Sequence, residues 1–287
     1  MKILVIGDSH SNMFADVPGV EHQRSPGAFT ARRFADPDFS EVWSWLSPWL
    51  SARRGADALV LSASEIDVRA HFWRHIPRAV TQGISLSAFI TSKAVELLTA
   101  VSRVQRDYAI GRVVLWTAPP ATDRTSYNPD WPFVGSVTTR NVLIHLFNCE
   151  VQRQIRGNPG IGLATGFYDY INPDSYLAQD HIPSDGVHWH NSLKDSLWNQ
   201  HLLPVIYGQT VDLGPVYQQM SNHIPRFVAT QARPTWLYDT WIRTEDLEQS
   251  LDTDPRASIN GSDYSRIYLR DRTRFPDSYR EMALVNQ

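Results

Sequence analysis

The feature that most constrains this chain is a set of short segments that stay apolar at every position. Ile3-Leu4-Val5-Ile6, Ala58-Leu59-Val60-Leu61 and Val113-Val114-Leu115-Trp116 all lack the polar alternation of a strand with one wet face. Between them run longer stretches with apolar residues at helical spacing. The clearest is 85–108, where Leu86, Phe89, Ile90, Ala94, Leu97, Leu98 and Val101 share one face. Continuous apolar strands alternating with helices fit a parallel sheet covered on both sides. The pattern predicts strands over 2–6, 57–62 and 112–117, and a fourth within 160–168. It predicts helices over 40–54 (with Ser40 as the N-cap candidate), 85–108, 138–156 and 189–207, and a long loop over 118–136. The alternation covers 1–207; residues 208–287 read as a C-terminal extension, whether lid, wrapping arm or oligomerisation element.

Composition limits the partners. The 27 basic and 30 acidic residues give a formal charge of −3, without the basic excess of a nucleic-acid binder. A single cysteine, Cys149, excludes an intrachain disulfide and a multi-cysteine zinc site. The apolar run after Lys2 is shorter than a secretory core of roughly 7–15 residues or a membrane span of about 20. The expectation is a cytoplasmic protein without nucleic-acid or membrane partners.

Parallel sheets bind ligands at the carboxyl ends of their strands, which puts the loops after residues 6, 62, 117 and 167 on one rim. The first of these reads Gly7-Asp8-Ser9-His10. Gly7 and Asp8 suit a sharp turn, and Ser9 then starts a helix, where amide protons can stabilise an oxyanion. A serine hydroxyl needs a base to become a nucleophile. Asp185-Gly186-Val187-His188 supplies one: three residues apart, the carboxylate can reach one imidazole nitrogen while the other faces Ser9.

Gly7-Asp8-Ser9 behind the first strand, with Asp185-x-x-His188 late in the chain, resembles the SGNH/GDSL hydrolase superfamily over roughly residues 2–205. Ser64-Glu65-Ile66-Asp67-Val68-Arg69, followed by His71, is similar to the branch carrying a Gly-Glu-Ile-Asp-x-Arg block. The resemblance implies an α/β fold, a three-layer flavodoxin-like sandwich around a central parallel sheet, and ester chemistry with no cofactor and no metal. It implies Ser9 as nucleophile, His188 as base and Asp185 as its orienting partner, with the amides of Ser9 and Gly27 forming the oxyanion hole. The superfamily's usual third donor, an asparagine, falls at Ile66 here. Arg69 and His71 are the candidates to replace it, and Arg69 is equally a contact for an anionic part of the substrate. Glu65, Asp67, Arg69, His71 and Trp189 are the candidate substrate-binding residues. An internal ion-pair cluster bracing the second predicted strand accounts equally well for Glu65, Asp67 and Arg69.

The function expected from the resemblance is removal of a small, acetyl-like acyl group from a sugar or other hydroxylated substrate through an acyl-serine. An O-acyltransferase using the same triad is the near alternative. A metal-dependent phosphoesterase is another, because Asp8-x-His10 also resembles the opening of calcineurin-like metallophosphoesterases. The last is a non-catalytic module that binds a glycan or a protein partner on the same fold. The expected partner is a small-molecule or carbohydrate ester, with a homo-oligomer through 208–287 as a further option.

Overall fold

The computed structural model describes residues 1–72, 75, 84, 86–122, 137–173, 176–178, 188–210, 213, 215–216 and 218–220. Five parallel strands, β1 (Ile3–Gly7), β2 (Val20–Arg24), β3 (Ala58–Ser62), β4 (Arg112–Trp116) and β5 (Ile161–Ala164), form one sheet in the order β2-β1-β3-β4-β5. That order, with helices on both faces, is the flavodoxin-like doubly wound arrangement, and its direction reverses at β1 and β3.

Both faces of the sheet are buried at β1, β3, β4 and β5, which is why these strands carry no polar alternation. Leu4, Ile6, Leu59, Leu61, Val113 and Leu115 point into one core with residues of α2 (Ser40–Ser51), α3 (Leu86–Asp107) and α4 (Val137–Ile155). Ile3, Val5, Val60, Val114 and Trp116 point into a second core, closed by Phe14, Leu197, Trp198, Leu202 and Val205. Each fully buried aliphatic side chain contributes roughly 1.5–3 kcal/mol relative to exposure, so the two cores hold the three layers together.

The structure corrects the sequence reading at several points. The expected strands do not include β2: Val20-Glu21-His22-Gln23-Arg24 is a polar edge strand that, among the described residues, pairs only with β1 and stays partly exposed. Ser40 lies inside α2 behind Phe39, and the cap residue Phe39 makes no side-chain bond to the helix. A capped helix does occur just before it, α1 (Ala31–Ala35), where Arg33 N donates to Thr30 Oγ1 at 3.1 Å. The expected helix over 189–207 is a mixed run over 191–206. Its wide π-type turns over Leu197–Leu202 lie just ahead of Pro204, which has no N–H to give to a carbonyl one turn back.

Of the expected loop over 118–136, residues 118–122 are described, and the buried Asn141 of α4 holds them. Its amide oxygen accepts from Ala121 N at 2.6 Å, and its NH2 donates to the carbonyls of Ala121 and Tyr176 at 3.1 and 2.8 Å. Beyond residue 207 the chain folds back: Met220 is buried and its carbonyl accepts from Tyr176 OH at 2.7 Å. Most of the expected extension, 221–287, lies outside the described residues. Among the described residues no helix is long and apolar enough to cross a membrane.

Candidate active site

The site begins where β1 meets β3. A Cβ on Gly7 would sit 2.3 Å from the Ser62 carbonyl oxygen and 2.7 Å from its Cβ. Gly7 does not have the positive φ that favours glycine, so its role is space between two strands rather than the sharp turn expected from sequence. The next residue, Asp8, ties the rim together. Its N–H donates to Ser62 O at 3.2 Å, and its Oδ1 accepts from His10 N at 3.0 Å and from Ser62 Oγ at 3.1 Å. Burial pushes the Asp8 carboxyl up to about 6, partly offset by His10.

Asp8 is the cap of a single 3-10 run, Ser9–Phe14, that Ser9 opens. Ser11 N is spent on Asp8 O at 3.1 Å and His10 N on the cap, so these two amides of the turn already have acceptors. Ser9 Oγ stands 2.6 Å from His188 Nε2, across 179 positions of sequence. With Nε2 unprotonated, the Ser9 hydroxyl donates to it, the geometry in which a base can activate the nucleophile. Asp185 and Gly186 lie outside the described residues. Trp189 follows His188 into the second core, only 4% exposed, with its ring against Trp116 and Tyr170. That burial leaves it almost no surface for a ligand, and core packing accounts for it. His190, next along, caps the following turn through Nδ1, which accepts from Ser192 N at 3.2 Å.

Gly27 lies exposed on the loop after β2, which is anchored to the rim by Ser25 N donating to Gly7 O at 2.9 Å. Its amide is 3.4 Å from Ser25 Oγ, a long and weak bond.

The block after β3 turns inward. Glu65, Asp67 and Arg69 are all buried. Arg69 Nε donates to Glu65 Oε1 at 2.6 Å, and Asp67 Oδ2 accepts from Ala31 N at 2.6 Å. His71, half-buried, has Nδ1 3.6 Å from Asp67 Oδ1. These contacts match the ion-pair cluster that braces the rim: Asp67 fixes the start of α1, and Arg69 is engaged by Glu65. Arg69 and Glu65 also line a small cavity with Pro119, Pro120 and Arg140.

From sequence alone His10 is a candidate only as a metal ligand, in the Asp8-x-His10 pattern. It is buried, and its ring lies on that of His188, centroids 4.7 Å apart and planes tilted by 30°. Its Nε2 is 3.4 Å from Glu65 Oε2, a charge contact without good hydrogen-bond geometry. Burial disfavours a charged His10, but the Asp8 and Glu65 carboxylates outweigh it and raise its pKa. Burial likewise opposes a charged Glu65, and Arg69 and His10 overcome it, holding the carboxyl well below its usual range. Asp8, His10 and Glu65 bring donor atoms within 4.8 Å of one another. Arg69 occupies one Glu65 oxygen and His10 faces the other, so the charges balance inside the cluster. No sequence pattern pointed to this stack: only the tight 3-10 turn sends the residue after Ser9 inward beneath His188.

No protein-family model matches the sequence, and no curated protein is significantly similar to it. Solved structures are similar in fold. One is a Streptococcus pneumonia protein provisionally assigned as a platelet activating factor, 15% identical over 72% of this chain and 84% of its own, with TM-score 0.48. A carbohydrate acetylesterase family member from Sinorhizobium meliloti is 14% identical over 77% of this chain and 100% of its own, with TM-score 0.41. A Slackia heliotrinireducens protein provisionally assigned as an SGNH hydrolase is 14% identical over 72% and 98%, with TM-score 0.40. These likenesses concern the fold, and the last carries the name of the superfamily that the sequence motifs resemble.

Proposed function

We propose that the protein is a serine-dependent ester hydrolase that removes a small, acetyl-like acyl group from a sugar or other hydroxylated compound. The observation that carries this reading is the 2.6 Å approach of Ser9 Oγ to His188 Nε2 at the carboxyl end of β1. β1 and β3 are where the strand order reverses, the place at which doubly wound sheets bind ligands.

In the proposed reaction Ser9 Oγ bonds to the ester carbonyl carbon while His188 Nε2 takes the hydroxyl proton. The carbonyl oxygen becomes an oxyanion held by the amides of Ser9 and Gly27. Collapse breaks the bond to the alcohol oxygen, and His188 returns the proton to that leaving group. Water then attacks the acyl-serine with His188 again as base, releasing the acid and restoring Ser9. Asp185 orients the imidazole and stabilises its charged form. An alcohol acceptor in place of water turns the same cycle into acyl transfer.

Of the two candidates to replace the missing asparagine, Arg69 is engaged with Glu65 and His71 faces Asp67, so the proposed oxyanion hole rests on backbone amides. Loss of one such donor costs on the order of 10²–10³ in rate, and the reading therefore predicts a slow hydrolase.

The test is turnover of an aryl acetate by the full chain, with covalent labelling by a fluorophosphonate. Ser9→Ala should lose labelling and lower kcat by at least about 10³-fold with an unchanged circular dichroism spectrum. Wild-type turnover by Ser9→Ala would overturn the proposal.

A further inference from the structure

Catalysis by a serine–histidine pair depends on the imidazole staying in one plane, since its nitrogen must meet the hydroxyl proton along a single line. Carboxylate hydrogen bonding from one end leaves a ring free to rock about that bond. Here the face of His188 is covered by another imidazole, His10, at a centroid distance of 4.7 Å with planes 30° apart.

His10 is itself held from several directions. Its backbone N–H is fixed to the cap residue Asp8 at 3.0 Å, its Nε2 faces Glu65 Oε2 at 3.4 Å, and Arg69 holds Glu65 at 2.6 Å. Glu65 and Arg69 follow β3, whereas His10 follows β1. The stack therefore couples the plane of the His188 ring to β1 and β3.

We propose that His10 is a positioning residue, the floor against which the His188 ring rests so that Nε2 meets Ser9 Oγ. This rests on the esterase reading above and gives its site a further member. It assigns the Glu65–Arg69 pair the task of holding that floor, rather than that of touching substrate. His10 itself takes no proton from the substrate and forms no bond to it.

The experiment compares His10→Leu, which fills similar volume without a flat ring, with His10→Phe, which restores a flat ring. Aryl acetate kinetics are measured on the full chain, with Ser9→Ala in parallel. His10→Leu is expected to lower kcat by about 10- to 100-fold with KM unchanged, the effect of a small misplacement of a reacting group. His10→Phe is expected to recover most of that loss. Equal kcat in the two variants, whether near wild type or equally low, overturns the floor.

If Ser9→Ala is inactive while His10→Leu keeps wild-type kcat, the floor fails and the esterase reading stands. If Ser9→Ala is fully active, the esterase reading itself fails. A measurement on the wild-type protein decides the matter should the variants not fold. Nuclear Overhauser contacts between the ring protons of His10 and His188 are expected, and their absence overturns the proposal.

Discussion

Replacing Gly7 with alanine tests the link from packing to chemistry. The added Cβ would lie 2.3 Å from Ser62 O, where ordinary contact begins near 3.4 Å, so β1 and β3 must separate by about 1 Å. Ser62 O is also the acceptor for Asp8 N at 3.2 Å, and the same movement stretches that bond. Overpacking of this kind costs about 1–3 kcal/mol, and a weakened hydrogen bond adds about 1 kcal/mol. The unfolding free energy of Gly7→Ala should therefore fall by about 2–4 kcal/mol.

The functional effect follows from position. Ser9 is two residues beyond Gly7 on the displaced edge, while His188 arrives on a separate segment. A shift near 1 Å between them should lower kcat by about 10²-fold with little change in KM. Urea denaturation followed by tryptophan fluorescence reads the stability, and aryl acetate kinetics reads the displacement. Gly27→Ala is the matched control for the urea midpoint, because nothing lies within 4 Å of its added Cβ. If Gly7→Ala shows the wild-type urea midpoint and kcat, the argument from strand spacing is wrong.

Gly27→Pro removes an amide while adding little bulk to an exposed loop, and it should lower kcat by about 10²–10³-fold if that amide holds the oxyanion. Unchanged kcat would remove Gly27 from the proposed site. A pH prediction comes from His145, fully buried in α4, whose imidazole is pushed down to about 4 by burial from an ordinary 6.5. Between those values the unfolded chain binds a proton that the folded chain refuses, so stability should fall as pH drops from 6.5 toward 4, by about 3 kcal/mol in all. The urea-unfolding free energy of the wild type measured against His145→Phe over this range should show that extra loss, and parallel curves would contradict it.

How much of this was legible in the sequence depends on how local the cause is. β1, β3, β4 and β5 could be read because burial on both faces forces unbroken apolar runs. β2 could not, because its side chains stay partly exposed and so tolerate Glu21, Gln23 and Arg24, whereas the other edge strand, β5, is buried and apolar. The start of α2 is not legible because Ser40 has the right capping chemistry one residue too late, behind Phe39. Asn141 gave no signal at all: an asparagine in a helix reads as a surface residue until its three bonds to Ala121 and Tyr176 are known.

The sequence by itself determined the layered α/β class and singled out Ser9 and His188 as candidates, since hydrophobic period and short motifs are written residue by residue. Tertiary structure alone decided the rest. It set the 2.6 Å distance between those two side chains, turned Glu65 and Arg69 into a buried brace, sent Trp189 into the core, and laid His10 beneath His188. Each of these depends on chain segments that meet only when the sheet assembles, and contacts between distant segments leave no periodic trace in the sequence of either one.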